Sequence, residues 1–286
     1  MDACRVGLGQ ISPILGDVQR NLESHLQLIS EARQQELQLL VFPELSLTGY
    51  VLKDLVSDVA IPASESDATL SRLLAASRDI DILVSFVERD SRHRFYIAAA
   101  YLSRGHVVHV HRKVYLPTYG MFEEGRYWAS GSNFRAFDTA FGRVGLLICE
   151  DFWHMSSAYA LWLDGADTLL LISASPGRGL TPEAALGSSR SVELINQMYA
   201  TFLTDFVLHC NRVGFEEGLN FWGGSTVFGP DGTLLAQAPY FESTLLTATL
   251  DLSALRRARQ QLPLLRDERV HLLQRELKRI VGRGLA

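Results

Sequence analysis

The chain has 286 residues, of which 47% are hydrophobic and 21% are charged. This is the composition of a folded globular protein and excludes wholesale disorder. The net charge of −5 argues against a nucleic-acid-binding protein, and three scattered cysteines are too few for a disulfide framework or a zinc site. No apolar run reaches the roughly 18 residues that span a membrane. We expect a cytoplasmic protein, because the first residues lack the pattern of a signal peptide.

Apolar strands alternate with amphipathic helices along the chain. In the first half we predict strand 5–10, helix 17–35, strand 39–42, helix 66–77 and strands 82–88, 96–102 and 107–112. In the second half we predict strand 144–149, helix 156–164, strand 168–172, helix 188–203, strand 206–211, a hairpin of 225–228 with 233–236, and strand 245–250. Most strands are apolar on both faces, which indicates two packed sheets with helices outside, a layered α/β sandwich in one domain.

The last residues differ from the rest in charge. The segment 256–283 carries nine basic and three acidic residues, so it has a net charge of about +6 and the remainder about −11. We therefore separate a main domain, 1–252, from a basic helical tail, 253–286. One interpretation is a solvated helix face. The other is that the tail packs on an acidic surface of its own body or of a second subunit, since Leu272, Leu273 and Ile280 share one helical face.

Reactive side chains follow three buried strands directly. Glu44 comes after Pro43, which ends the strand 39–42; Lys113 follows the strand 107–112; and Cys149 is the last apolar residue before two acids. Such positions hold a group rigidly at the rim of a sheet. Each residue also has an ordinary alternative: a cap carboxylate, a solvated lysine or a buried thiol. Cys4 and Cys210 lack this setting, so we interpret both as structural.

Other constellations indicate chemistry more weakly. Cys149 and His154 are candidates for a cysteine–histidine dyad, although five residues across a turn define no geometry. Three histidines of one strand region are candidate metal ligands or a solvated strand edge: His106, His109 and His111. The glycine pair before Ser225 precedes a strand rather than a helix, so it is not a phosphate-binding loop.

Taken together, the three strand ends resemble the nitrilase (carbon–nitrogen hydrolase) superfamily. The resemblance covers about residues 6–250, and its motifs are Phe42-Pro43-Glu44-Leu45, His111-Arg112-Lys113 and Ile148-Cys149-Glu150-Asp151. The flanking residues, such as 43–50, 116–128 and 149–153, are most similar to the glutaminase domain of glutamine-dependent NAD synthetase. The resemblance implies a four-layer α-β-β-α sandwich. It also implies a homodimer or higher homo-oligomer, because members of the family generally pair through a shared face.

The resemblance also implies a role for each motif residue. Cys149 is the expected nucleophile, Glu44 the general base and then acid, and Lys113 the donor to the oxyanion. Glu124 matches a second glutamate that assists these three. The residues matching positions around the substrate of the relatives are Tyr50, Tyr119, Phe122, Glu150 and Ser175.

Two features depart from the glutaminase pattern. The relatives carry a Lys or Arg for the substrate's carboxylate where this chain has Thr181, and Arg178 is the nearest substitute in that loop. The chain also ends at Ala286, where the relatives continue into a synthetase domain, so we expect no NAD synthesis by this chain alone.

The prediction is a thiol amidase, without cofactor or metal, that hydrolyses a small linear amide of the glutamine or ω-amide class. Its expected partners are the substrate and further copies of itself, with no nucleic acid or membrane. Three alternatives stay open: a nitrilase, an ammonia-supplying glutaminase subunit of a separate synthetase, and a non-catalytic binding module on the same scaffold.

Overall fold

The structure is a computed structural model that describes residues 3–178 and 187–284. Two six-stranded sheets and one separate hairpin are formed in this part of the chain. The first sheet has the order β14-β1-β2-β3-β4-β5, with strands β1 (Ala3–Gln10), β2 (Leu39–Val41), β3 (Asp81–Arg89), β4 (Phe95–Ser103), β5 (His106–Arg112) and β14 (Thr244–Asp251). The second has the order β13-β12-β9-β8-β7-β6, with β6 (Phe137–Thr139), β7 (Gly142–Ile148), β8 (Thr168–Ser173), β9 (Phe206–Asn211), β12 (Thr226–Phe228) and β13 (Leu234–Gln237).

Helices cover the outer face of each sheet. The helices of the described residues are α1 (Val18–Gln34), α2 (Val56–Val59), α3 (Ala68–Ala76), α4 (Glu124–Tyr127), α5 (Met155–Leu163), α6 (Gly187–Leu203), α7 (Ser253–Gln261), α8 (Leu264–Asp267) and α9 (Val270–Val281). Asp17 and Asp67 cap α1 and α3 by accepting backbone N–H groups of the first turn. No helix within 3–178 or 187–284 is long and apolar enough to cross a membrane.

Three apolar layers hold the sandwich together. The central layer lies between the two sheets and contains Val6, Leu83, Ile148 and Leu170. A second layer joins α1 and α3 to the first sheet, and a third joins α5 and α6 to the second sheet. The four-layer α-β-β-α sandwich predicted from the sequence is confirmed. The doubly apolar strands are explained by it, because each sheet is covered on both faces.

Local differences from the predicted elements have physical causes. The strand predicted to end at Cys149 ends at Ile148, because Cys149 begins a 3₁₀ turn with a φ of +49°. A hairpin of β10 (Val213–Glu216) and β11 (Leu219–Trp222) was not predicted, because its strands are only four residues long and mix polar with apolar residues.

The first part of the basic tail packs on the body, through apolar residues such as Leu255 and Leu264 and through one arginine of α7. The Arg259 guanidinium donates to Asp167 and Asp205, each at 2.7 Å, and to the carbonyl of Ala166 at 2.9 Å. By contrast, none of the residues of α9 is buried. The boundary at 252/253 stays a prediction.

Candidate active site

Glu44 and Lys113 come together at the rim of the first sheet. Pro43 and Glu44 follow β2, and Lys113 directly follows β5. Both side chains are fully buried, and the Lys113 Nζ donates to Glu44 Oε1 at 2.8 Å. The second oxygen of Glu44 accepts the backbone N–H of Ala174, at the end of β8, at 2.8 Å. Both oxygens of this carboxylate are therefore fixed in direction.

Glu124 completes the arrangement from the first residue of α4. Its Oε1 accepts from Lys113 Nζ at 2.7 Å and from the hydroxyl of Tyr50 at 2.6 Å. One ammonium thus lies between two buried carboxylates. A buried charge needs such partners, because removal from water costs several kcal/mol per ion.

Cys149 lies in the same electrostatic environment at the end of β7. Its φ of +49° is in the left-handed region, which is unfavourable for a residue with a side chain and is typical of strained functional positions. Burial raises the pKa of the thiol well above its usual range, and the charge of Glu44 adds to this, while Lys113 acts in the opposite sense. A thiol with a raised pKa keeps its proton at neutral pH, and a protonated thiol needs a base before it can act as a nucleophile.

The charges of Lys113, Glu44 and Glu124 influence one another's surroundings, and the pKa values of Lys113 and Glu124 are shifted as a result. Burial by itself would lower the pKa of Lys113, but the charges of Glu124 and Glu44 outweigh it and raise that pKa well above its usual range. Burial raises the pKa of the Glu124 carboxyl, and the charge of Glu44 adds to this increase. The lysine therefore stays a cation.

Asp151 fixes the cysteine turn against the lysine strand, and sequence reasoning assigned it no role. Its carboxylate accepts the backbone N–H groups of Ile148, Val114 and Tyr115 at 2.9–3.1 Å and lies 2.8 Å from Nε2 of His111. The only sequence signal is a second acid after the cysteine. That signal does not distinguish a buried clamp from a solvated loop residue.

Four of the predicted substrate-binding residues are linked by contacts, and we call this cluster the mouth of the site: Tyr119, Phe122, Glu150 and Arg178. The hydroxyl of Tyr119 is 3.0 Å from both carboxylate oxygens of Glu150, and the Tyr119 and Phe122 rings meet edge to face. The guanidinium carbon of Arg178 lies 4.9 Å from the centroid of the Phe122 ring. The mouth therefore combines a carboxylate and a guanidinium, linked through the Tyr119 and Phe122 rings.

Ser175 and Thr181 belong to the segment that follows β8. The backbone N–H of Ser175 donates to Oδ1 of Asn211 at 2.9 Å, which holds the segment beside β9. Thr181 lies outside the described residues.

A cavity of about 120 Å³ opens beside the mouth of the site, and its aromatic lining includes Tyr50, Phe122, Tyr127 and Trp128.

The histidines of the alternative dyad and metal sites have other partners in the structure. The His154 ring stacks on Tyr115 with centroids 3.6 Å apart, and its Nε2 lies 3.8 Å from Glu150. His109 stacks on Phe137, and His111 is engaged with Asp151. The described residues contain no group of three or more His, Cys, Asp or Glu side chains that could hold a metal ion.

Comparison with known proteins gives consistent matches over most of the chain. The glutamine-dependent NAD(+) synthetase of Thermotoga maritima is 32% identical over 254 residues, which are 88% of this chain and 43% of that protein. The nitrilase of Pyrococcus abyssi is 30% identical over 261 residues, 89% of this chain and 92% of the nitrilase. The chain thus spans less than half the length of the NAD synthetases that it matches.

A solved amidase gives the structural comparison. A glutamate-to-glutamine mutant of the amidase from Nesterenkonia sp. AN1 matches with a TM-score of 0.78 and 27% identity, covering 95% of this chain and 96% of the amidase. That structure shows covalent addition of the acetamide moiety of fluoroacetamide at the active-site cysteine. The carbon-nitrogen hydrolase family matches residues 5–260. The chain belongs to the carbon–nitrogen hydrolase family, which confirms the prediction of a hydrolase that acts on carbon–nitrogen bonds.

Proposed function

We propose that the chain is a thiol amidase that converts a small linear amide into a carboxylic acid and ammonia. The observation that carries this proposal is the position of Lys113, whose ammonium is held by Glu44 and Glu124 in the electrostatic environment of Cys149. A nucleophile, a base and a cationic donor are the three groups that acyl transfer from an amide requires.

The reaction divides into two halves. In the first, Glu44 takes the proton of Cys149 as the sulfur forms a bond to the amide carbon, and the carbonyl oxygen becomes an oxyanion beside Lys113. The C–N bond then breaks, and Glu44 returns the proton to the leaving nitrogen, which departs as ammonia. In the second half, Glu44 takes a proton from water as the resulting hydroxide attacks the thioester. The C–S bond then breaks, Glu44 returns the proton to the sulfur of Cys149, and the carboxylic acid is released. The Nesterenkonia amidase supports a cysteine as the nucleophile, because its active-site cysteine carries the acetamide moiety of fluoroacetamide covalently.

The charges at the mouth favour an amide that carries a carboxylate. Arg178 lies over Phe122, and its charge lowers the pKa of Tyr119, against the larger effect of burial. In the proposed complex Arg178 binds the carboxylate of the substrate, and Glu150 binds the amino group of an amino-acid amide such as glutamine. The part-length match to glutamine-dependent synthetases supports the same class.

Two alternatives to the amidase function are each supported by similarity to a known protein. The similarity to the Pyrococcus nitrilase supports the hypothesis that this chain acts on a nitrile. The similarity to the synthetases supports the hypothesis that it is an ammonia-supplying subunit that works only with a partner. Ammonia release from an amide, compared with release from the matched nitrile, distinguishes an amidase from a nitrilase. Activity of the chain without a partner separates the second.

The nucleophile and the base are tested by intact-protein mass spectrometry with glutamine, succinamate, 2-oxoglutaramate and butyramide. The wild type is expected to release ammonia and, when quenched with acid during turnover, to show an adduct equal to the amide minus ammonia. Glu44→Gln is expected to show little of either, because Glu44 serves both halves of the proposed reaction. Cys149→Ala is expected to show neither. His154→Ala is the matched control and should keep activity, because its ring is stacked on Tyr115. Ammonia from the Cys149→Ala protein would overturn the nucleophile assignment.

Removal of the bridging cation should destabilise the fold in a pH-dependent way. Lys113→Met leaves Glu44 and Glu124 buried without their partner, which costs about 3–5 kcal/mol of the free energy of unfolding at pH 7.5. Burial raises the pKa of the Glu124 carboxyl, which therefore binds a proton more readily in the folded state, so stability should be lost as pH rises and partly regained near pH 5. Denaturant unfolding at both pH values measures this loss. Lys278→Met, an exposed substitution, is the control, and an equal loss in both variants would contradict the account.

The substrate class is tested at Arg178. Arg178→Gln removes a charge-assisted hydrogen bond worth about 1.5–3 kcal/mol, so KM for succinamate and glutamine should rise about 10- to 100-fold. KM for butyramide, which lacks a carboxylate, should not change. Arg126→Gln replaces an exposed arginine of α4 and serves as the control. An equal change for charged and uncharged amides in Arg178→Gln would exclude the proposed contact.

We also propose that two copies of the chain pair through the outer face of α5 and α6. An apolar groove of about 750 Å³ lies there, bordered by Met155, Phe202 and Leu272, of which the first two are 68% and 60% exposed. Next to it, α9 presents the exposed apolar residues Val270, Leu277 and Val281. The basic tail and the acidic body are complementary in charge, so α9 of one copy fits the groove of the other.

Light scattering tests the pairing. Phe202→Glu is expected to halve the measured mass, because it places a charge in the proposed interface. Val108→Glu, an exposed apolar position on β5, is expected to leave the mass unchanged. A wild-type protein of monomeric mass would rule out this interface.

A further inference from the structure

A second buried ion pair lies beside the site, at the end of β9. Arg212 and Glu216 are both buried, and Nη1 of Arg212 donates to Oε2 of Glu216 at 2.7 Å. The guanidinium carbon also lies 4.2 Å from the centroid of the Phe221 ring. Replacing a buried ion pair by apolar residues is often neutral or stabilising, so stability alone does not account for these two charges.

The other oxygen of Glu216 holds the loop that carries Tyr50. Oε1 of Glu216 accepts the backbone N–H groups of Tyr50 at 2.8 Å and of Val51 at 2.6 Å. Gly49, with a φ of +79°, permits this close approach, because a Cβ there would lie 2.8 Å from Oε2 of Glu216. The carboxylate thus receives charge-assisted hydrogen bonds from two consecutive amides, which fix the loop in one position.

Tyr50 connects this loop to the reacting groups. Its hydroxyl donates to Oε1 of Glu124 at 2.6 Å, and the same oxygen accepts from Lys113. The second oxygen of Glu124 is buried and has no hydrogen-bond partner among the described residues. The direction of the Glu124 carboxylate therefore depends on Tyr50 and Lys113 together.

We infer that Arg212 and Glu216 are positioning residues that set the carboxylate of Glu124 through the Tyr50 hydroxyl. Arg212 fixes Glu216, Glu216 fixes the backbone of Tyr50, and Tyr50 holds the oxygen that shares the ammonium of Lys113 with Glu44. This inference rests on the proposed function, in which Lys113 donates to the oxyanion. Misplacement of a reacting group by about 1 Å can cost about 100-fold in rate.

A double-mutant cycle on ammonia release from the best amide tests the inference. Glu216→Ala and Tyr50→Phe should each lower kcat about 10- to 100-fold, with KM changed less than about 3-fold. The double variant should be no slower than Tyr50→Phe, because both changes remove the same support. Glu216→Gln keeps an acceptor oxygen for the two amides and should restore most of the kcat lost in Glu216→Ala.

The opposite end of the same strand supplies the matched control. Asp205 precedes β9 and pairs with Arg259, so Asp205→Asn disrupts another buried ion pair and is expected to leave kcat unchanged. Arg212→Leu with Glu216→Leu removes both charges and replaces Glu216→Ala if that variant does not fold. Independent, multiplicative effects in the cycle, or an equal loss of kcat in Asp205→Asn, would overturn the inference. An inactive wild type would instead refute the proposed amidase function.

Discussion

A lysine ammonium removed from water has to be surrounded by negative charge, and this requirement organises the centre of the molecule. Lys113 meets it with Glu44 on one side and Glu124 on the other, at 2.8 and 2.7 Å. The two carboxylates repel each other, so each needs the lysine as much as the lysine needs them. The arrangement also fixes the direction of the ammonium. In the proposed reaction its position is then set before the oxyanion forms, so little reorganisation is needed.

The double sandwich is what allows these charges to meet. Glu44 and Lys113 leave strands of the first sheet, whereas Cys149 leaves a strand of the second, and the shared apolar layer holds the two sheets face to face. Asp151 joins the two strand ends directly by accepting N–H groups from both. In the proposed reaction, the base, the cationic donor and the nucleophile are therefore held by the ends of rigid strands.

Much of this could be predicted from the sequence, because apolar strands followed by single reactive residues are visible in the residue pattern. The positions of Glu44, Lys113 and Cys149 relative to their strands were predictable, and the resemblance supplied the fact that they converge. The contributions of Asp151, Glu216 and Arg212 were not predictable. Each is a charged residue in a loop or short hairpin, and only the folded chain shows that its charge is buried and which distant backbone N–H groups it holds.

The account depends on Lys113 acting on the acyl group bound to Cys149. A crystal structure of the wild-type protein, soaked with the amide that gives the highest ammonia release and flash-cooled during turnover, tests this most directly. The account predicts a bond from Cys149 Sγ to the acyl carbon, with the acyl oxygen about 3 Å from Lys113 Nζ. An acyl group on Cys4 or Cys210, or an acyl oxygen turned away from Lys113, would contradict it.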